Sequence, residues 1–186
     1  MSLKIALLGL LSAEPASGYD LTQTIQRSIH FIWNATAPQI YNTLRTLREN
    51  GHISTRDLPQ EGKPDKQIHS ITPAGKKALE AYLGEPIRSS VTRDEVLLRI
   101  FFGNFCAPDA MQRELRSYLE RVREERLYLE GVEARIYANP GPNTEARRFQ
   151  LLSLRIKVAQ SRATERELMD FFDTLSRPDD PAGAEV

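Results

Sequence analysis

Residues 37–83 read APQIYNTLRTLRENGHISTRDLPQEGKPDKQIHSITPAGKKALEAYL, and their local signals decide the fold. Thr36 is a favourable N-cap two residues before Pro38, and Gly51 is a typical helix stop, so the sequence predicts a helix over 37–50. One face of this helix is apolar at helical spacing, through Ile40, Leu44 and Leu47. The opposite face is polar, so we expect an amphipathic helix with one buried side.

A hairpin and another helix follow this helix. The predicted elements are a strand over 52–58, a loop over 60–65, a strand over 66–71 and a helix over 74–83. The first strand ends at Pro59, and the loop contains the glycine and proline that are typical of turns. Thr72 and Pro73 repeat the N-cap and first-turn proline signal of a helix start.

Two more helices are predicted upstream. Residues 3–11 contain seven apolar residues in nine, a run that is too short to cross a bilayer, which takes about 20 residues. We therefore expect a buried first helix and no membrane partner. Residues 18–29 form the second helix, with Leu21, Ile25 and Ile29 on one face. Three helices, a hairpin and a fourth helix are the order of a winged helix-turn-helix, which points to double-stranded DNA as a partner.

The polar face of the third helix and the tip of the hairpin carry the candidate DNA contacts. They are Thr36, Gln39, Tyr41, Asn42, Arg45, Thr46, Lys63 and Lys66. Arginine and amide side chains can read base edges in the major groove, with Arg45 or Gln39 as candidates for paired hydrogen bonds. The lysines at the tip are placed to reach phosphates. The alternative interpretation is an ordinary surface helix with a solvated turn.

Three spaced motifs carry a resemblance to a known family. They are ALLGLLSAEPASGYDL, PQIYNTLRTLRENGHI and ITPAGKKAL, and together they resemble the N-terminal domain of PadR-family transcriptional regulators. The later segment DEVLLRIFFG resembles the virulence-activator-type α-helical C-terminal domain of longer members. The resemblance implies a dimeric winged-helix DNA binder in the cytoplasm of a prokaryote, often a repressor. The second wing strand departs from the family, because QIHSI replaces the aromatic residues that are common there.

The predicted organisation is mainly α with a small β-hairpin wing. A winged helix-turn-helix over 1–85 precedes a long-helix dimerisation domain over 86–176 and a disordered tail over 177–186. One long helix is expected to start within 107–109 and to run to about 138, and another to run from about 144 to 175. The first carries a heptad-like seam, which is the predicted dimer interface: Met111, Leu115, Tyr118, Val122, Leu129, Val132 and Ile136. The second presents Phe149, Leu152, Ile156, Ala159 and Ala163 in its first half.

Two apolar seams on one helical hairpin exceed what the hairpin can cover by itself. We therefore expect a homodimer that places two winged helices on an inverted-repeat operator. The alternative is an intramolecular bundle folded onto the winged helix.

Composition excludes several other classes of function. The chain has 186 residues, 40% hydrophobic and 27% charged, with formal net charge zero, and residues 1–84 hold nine Lys and Arg against seven Asp and Glu. Cys106 is the only cysteine, and we expect it to be a buried core thiol, with a redox-sensing thiol as the alternative. The three histidines show no metal-ligand spacing, and no phosphate loop or nucleophile motif occurs. We expect no catalytic site, no metal and no cofactor.

An aromatic pair lies between the second and third helices. Phe31 and Trp33 are candidates for binding a small aromatic effector that releases the DNA, because the family resemblance implies that some members bind planar aromatics. A core or interface role for the two rings is the alternative. The alternative to DNA binding is a winged-helix adaptor that binds protein.

Overall fold

A computed structural model describes residues 2–30, 32–59, 66–87, 94–138 and 144–176. Within it the chain divides into two compact units, Met1–Ser90 and Val91–Val186. Phe31, Lys63 and the tail predicted over 177–186 lie outside the described residues.

The first unit is a helical bundle with a small antiparallel sheet. Its elements are α1 (Ser2–Ala13), β1 (Ala16–Ser17), α2 (Gly18–Thr24) with a π-helical turn (Ile25–Ile29), α3 (Ala37–Glu49), β2 (Ile53–Leu58), β3 (Lys66–Ile71) and α4 (Pro73–Leu83). The predicted fold class is confirmed, since this is a winged helix-turn-helix followed by long helices. The sheet has three strands in the order β1-β3-β2, so β1 is an addition to the predicted hairpin.

The apolar stripes of the helices meet in one core. Its buried members include Leu7, Leu8, Leu11, Leu21, Ile25, Ile40, Leu44, Leu47 and Ile53. Ile40 and Leu47 on α3 are 0% exposed, so the inner face of this helix is fixed against α1 and α2. Its opposite face is consequently held outward.

A polar joint connects the end of α3, the start of β2 and the start of α4. The Thr72 hydroxyl donates to the Gly51 carbonyl at 2.7 Å and accepts from the Gly75 N–H at 3.1 Å. The Thr72 N–H donates to the His52 carbonyl at 3.0 Å. Gly51 has φ +69°, the left-handed conformation that favours glycine at a helix end. This joint sets how the wing leaves the third helix.

The second unit is an antiparallel helical hairpin preceded by a short helix. It contains α5 (Glu95–Phe101), a 3₁₀ turn (Gly103–Phe105), α6 (Pro108–Ala138) and α7 (Thr144–Ser176). Buried apolar residues line α6 and α7, namely Leu115, Leu119, Val122, Leu129, Leu154, Val158, Leu168 and Phe172. The guanidinium groups of Arg123 and Arg126 each donate to Glu165 at 2.8 Å, which fixes the register of the two helices.

Part of the predicted dimer seam has its partner within the same chain. Leu115, Val122 and Leu129 are buried in a single chain, where α6 packs against α7. These three side chains cannot also face a second chain, so their assignment to an interface needs correction. The other four, Met111, Tyr118, Val132 and Ile136, are half-buried. A heptad pattern specifies an apolar partner but not which helix provides it.

Other apolar residues of the second unit face outward. From α5 to the end of the 3₁₀ turn they are Leu97, Leu98, Phe101, Phe102 and Phe105, each at least 50% exposed. Phe149, Leu152 and Ile156 on α7 are more than 50% exposed, because α7 turns a second stripe, with Leu154 and Val158, toward α6.

Cys106 is exposed, so its predicted burial is wrong. It directly follows the 3₁₀ turn, whose last residue, Phe105, is also exposed.

Candidate nucleic-acid interface

The predicted base-reading side chains of α3 share its outer face. Gln39, Tyr41, Asn42, Arg45 and Thr46 are all exposed, and so is the N-cap residue Thr36. They lie opposite the buried stripe of Ile40, Leu44 and Leu47. The structure therefore brings the predicted α3 contacts together on one accessible surface.

Gln39 already has a structural partner at the start of α3. Its Oε1 accepts a hydrogen bond from the Thr36 N–H at 2.9 Å. Paired hydrogen bonds to adenine need both the oxygen and the nitrogen of this amide, so the same oxygen would have to serve the helix cap and the base together.

Arg45 is less constrained than Gln39. Its Nη2 lies 3.5 Å from Asn42 Oδ1, at the limit of a hydrogen bond, and both side chains are exposed. A guanidinium group presents two parallel donors that fit the O6 and N7 acceptors of guanine. Of the two candidates for paired base contacts, Arg45 is thus the better placed.

The loop end of the wing, where β3 begins, is tied to α2 by an ion pair that the sequence analysis did not predict. Lys66 Nζ lies 2.9 Å from Asp20 Oδ2, and the two side chains are 38% and 44% exposed. Asp20 also accepts from the Ser17 hydroxyl at 2.8 Å, while Ser17 Oγ accepts from the Asp20 N–H. Lys66 and then Ser17 hold the pKa of Asp20 below its usual value. Lys66 can still reach a phosphate, but only by sharing its charge with Asp20.

His69 joins the two long strands of the wing. It is 6% exposed, and its Nδ1 lies 3.0 Å from the Thr55 hydroxyl of β2. Burial, and then the positive charge of Arg48, lower the pKa of His69. The neutral imidazole is therefore favoured at neutral pH. This histidine, within the QIHSI segment that departs from the family pattern, has a structural role in the sheet.

The effector candidate that the structure describes is partly accessible. Trp33 is 36% exposed, and its backbone N–H donates to the Ile29 carbonyl at 2.8 Å, which fixes the chain after the π-helical turn. The indole therefore belongs to neither a fully buried core nor a fully solvated loop.

The residues that the structure describes provide neither a cluster of metal ligands nor a membrane-spanning helix. Within those residues, no cluster of three or more His, Cys, Asp and Glu side chains could hold a metal ion. None of the helices there is long and apolar enough to span a membrane.

The fold and the exposed polar face of α3 define a DNA-binding protein of the winged helix-turn-helix class. Residues 7–81 match the transcriptional regulator PadR-like family, and residues 92–166 match the virulence activator alpha C-terminal family. The chain belongs to the PadR-like family of transcriptional regulators. Members of this family are regulators rather than enzymes.

Two relatives match over three quarters or more of the chain. A probable transcriptional regulator of Mycobacterium tuberculosis, Rv1176c, is 34% identical over 95% of this chain and 96% of its own. The negative transcriptional regulator PadR of Bacillus subtilis is 30% identical over 75% and 78%.

Solved structures of the Bacillus protein share the fold. Its complex with operator DNA has a TM-score of 0.80 at 26% identity and covers 92% of this chain and 97% of that one. Its complex with p-coumaric acid has a TM-score of 0.75 at 23% identity, with coverage of 95% and 100%.

Proposed function

We propose that this regulator is a sequence-specific repressor that binds an inverted-repeat operator as a homodimer and is released by a small aromatic effector. The main support for sequence-specific DNA binding is the outer face of α3. Its polar side chains are exposed, whereas the apolar stripe on the opposite face is at most 2% exposed. A helix held in this way can enter the major groove without rearrangement.

Arg45 is assigned to base reading in this proposal, and Asn42 and Thr46 support it from the same face. Lys66 and the tip residue Lys63 are assigned to the phosphate backbone, where they add affinity without sequence preference. Loss of the two groups of contacts has different expected effects, because base contacts determine specificity and phosphate contacts determine the salt dependence of binding.

The homodimer is supported by the unpaired apolar surface of the second unit. Phe101 and Phe105 are 80% and 83% exposed, and the outer stripe of α7 adds further apolar surface. Surfaces of this kind on a regulator are typical of a subunit interface. A single recognition helix makes few contacts, so tight binding needs two half-sites whose centres lie about 34 Å, one helical turn, or a multiple of that distance apart.

Repression and effector release are supported by the relatives. The Bacillus protein is named a negative regulator and has been solved with p-coumaric acid. Trp33 and Phe31 are the aromatic candidates for an equivalent response here. A planar aromatic acid that prefers the DNA-free state must weaken operator binding by linkage.

Replacing Arg45 by alanine is expected to weaken operator binding by about 1–3 kcal/mol and to relax preference at one base pair. Lys66→Ala is expected to weaken binding to all DNA sequences alike and to reduce the salt slope by about one. Fluorescence anisotropy on the operator and on a shuffled duplex measures both effects. Normal operator binding by a folded Arg45→Ala protein would refute the assignment of the reading face. If the unmodified protein bound no DNA, the protein adaptor would be favoured.

Titration with p-coumaric acid is expected to quench Trp33 fluorescence and to release the operator over the same concentration range. Trp33 is the only tryptophan, so the signal has a single source. Trp33→Phe, followed by anisotropy of labelled operator, tests whether the ring itself is needed. If a panel of phenolic acids changed neither signal, the proposed effector response would be refuted and a packing role for Trp33 would be favoured.

A further inference from the structure

Gly18 and Tyr41 form a close contact between α2 and α3, the two helices of the helix-turn-helix. Gly18 is the first residue of α2 and is buried, whereas Tyr41 lies on α3 and is 51% exposed. A Cβ atom at position 18 would lie 2.5 Å from Cε1 and 3.0 Å from Cζ of Tyr41. Only glycine therefore leaves the space that the ring occupies.

The contact determines where the Tyr41 hydroxyl lies. Cζ bears the hydroxyl, so this group sits close to Gly18 at the start of α2. In the described part of the protein, no hydrogen bond to the Tyr41 hydroxyl is found. Tyr41 also lies one helical turn before Arg45, on the outer face of α3. The hydroxyl is thus at the edge of the reading face and next to the preceding helix.

In a helix-turn-helix, the recognition helix enters the groove while the helix before it crosses the DNA backbone. A hydroxyl at the boundary of these two helices is placed to meet a phosphate oxygen. We propose that Gly18 is a positioning residue, which holds the Tyr41 ring so that its hydroxyl donates a hydrogen bond to a DNA phosphate. This inference rests on the proposed DNA-binding function and adds to it a phosphate contact and the residue that orients it.

The two positions can be changed separately. Tyr41→Phe removes the hydroxyl and keeps the ring. Gly18→Ala keeps the hydroxyl but displaces the ring, which gives way more easily than backbone because it is the outer end of a half-exposed side chain. Gly9→Ala is the matched control, since a Cβ at position 9, in α1, would meet nothing within 4 Å.

The test is a double-mutant cycle on operator binding. Tyr41→Phe and Gly18→Ala are each expected to weaken binding by about tenfold, and the double variant is expected to be no weaker than Tyr41→Phe alone. The loss should be similar on operator and shuffled DNA, with an unchanged salt slope, because the lost donor is neutral and contacts a phosphate. Gly9→Ala should bind as the unmodified protein does.

Three outcomes would overturn the inference. They are additive losses in the double variant, operator binding by Gly18→Ala equal to that of the unmodified protein, and a lower thermal midpoint for Gly18→Ala than for the unmodified protein. The last would mean that the backbone, rather than the ring, gives way. Failure of the unmodified protein to bind any DNA would instead refute the proposed function, so the two failures are distinguishable.

Discussion

Leu129→Asp is expected to unfold the helical second unit and to lower operator affinity by about a hundredfold or more. Leu129 is 0% exposed within a single chain, so the new carboxylate would be buried without a partner. Such burial costs several kcal/mol, of the order of the whole stability of a small domain. Without the second unit, binding at the second half-site is no longer intramolecular, and a factor of about 10² in affinity is lost.

Ser117→Asp is the matched control on the same helix. Ser117 is exposed, and its hydroxyl accepts a hydrogen bond from Arg121 at 2.7 Å. An aspartate carboxylate at this position would therefore stay hydrated and close to the Arg121 guanidinium. Circular dichroism should show a loss of helix in Leu129→Asp only. A normal thermal midpoint for Leu129→Asp would contradict the packing of α6 on α7.

The surface between subunits is tested with an exposed residue. Phe101→Asp replaces a ring that is 80% exposed, so the second unit should stay folded while the dimer dissociates. Sedimentation should then show a monomer with normal helix content and reduced affinity for the inverted repeat. If Phe101→Asp sedimented as a dimer, α5 would not belong to the interface. A monomeric unmodified protein at micromolar concentration would refute the homodimer.

Gly75→Ala is expected to destabilise the first unit by about 3 kcal/mol, the upper range for overpacking a buried site. A Cβ at this position would lie 2.1 Å from the His52 carbonyl oxygen and 2.9 Å from Ile71 Cγ1. The nearer atom is backbone, so the joint between α3, β2 and α4 must open. For a unit of this size the thermal midpoint should fall by on the order of 15 °C.

Gly9→Ala is again the control, and it should raise the midpoint slightly because alanine is the better helix former. Operator binding by Gly75→Ala should fall as well, because the joint fixes the wing against the third helix. Equal midpoints for the two alanine variants would show that the joint has room for a side chain.

The elements with local signals could be predicted from the sequence. Thr72 with Pro73, and Gly51, mark helix ends by capping chemistry that involves only near neighbours. The strands predicted over 52–58 and 66–71 correspond to Ile53–Leu58 and Lys66–Ile71, because β-compatible residues bounded by turn residues are also a local signal. The exposed face of α3 followed from its apolar stripe.

Features that depend on distant partners could not be predicted. Asp20 and Lys66 are far apart in the chain, and only the folded sheet brings them together. The seam of α6 could pair with α7 or with another chain, and its spacing is the same in both cases. The close approach of Gly18 to Tyr41 depends on how α2 and α3 cross, and no local sequence pattern indicates that crossing.

Binding of the intact chain to the DNA upstream of its own gene tests the central claim most directly. The affinity is measured by fluorescence anisotropy at about 150 mM salt and compared with that for a shuffled duplex of the same composition. We expect the protein to bind the operator at least about a thousandfold more tightly than the shuffled duplex, and Arg45→Ala to lose much of that ratio. Equal affinity for the two duplexes would contradict it.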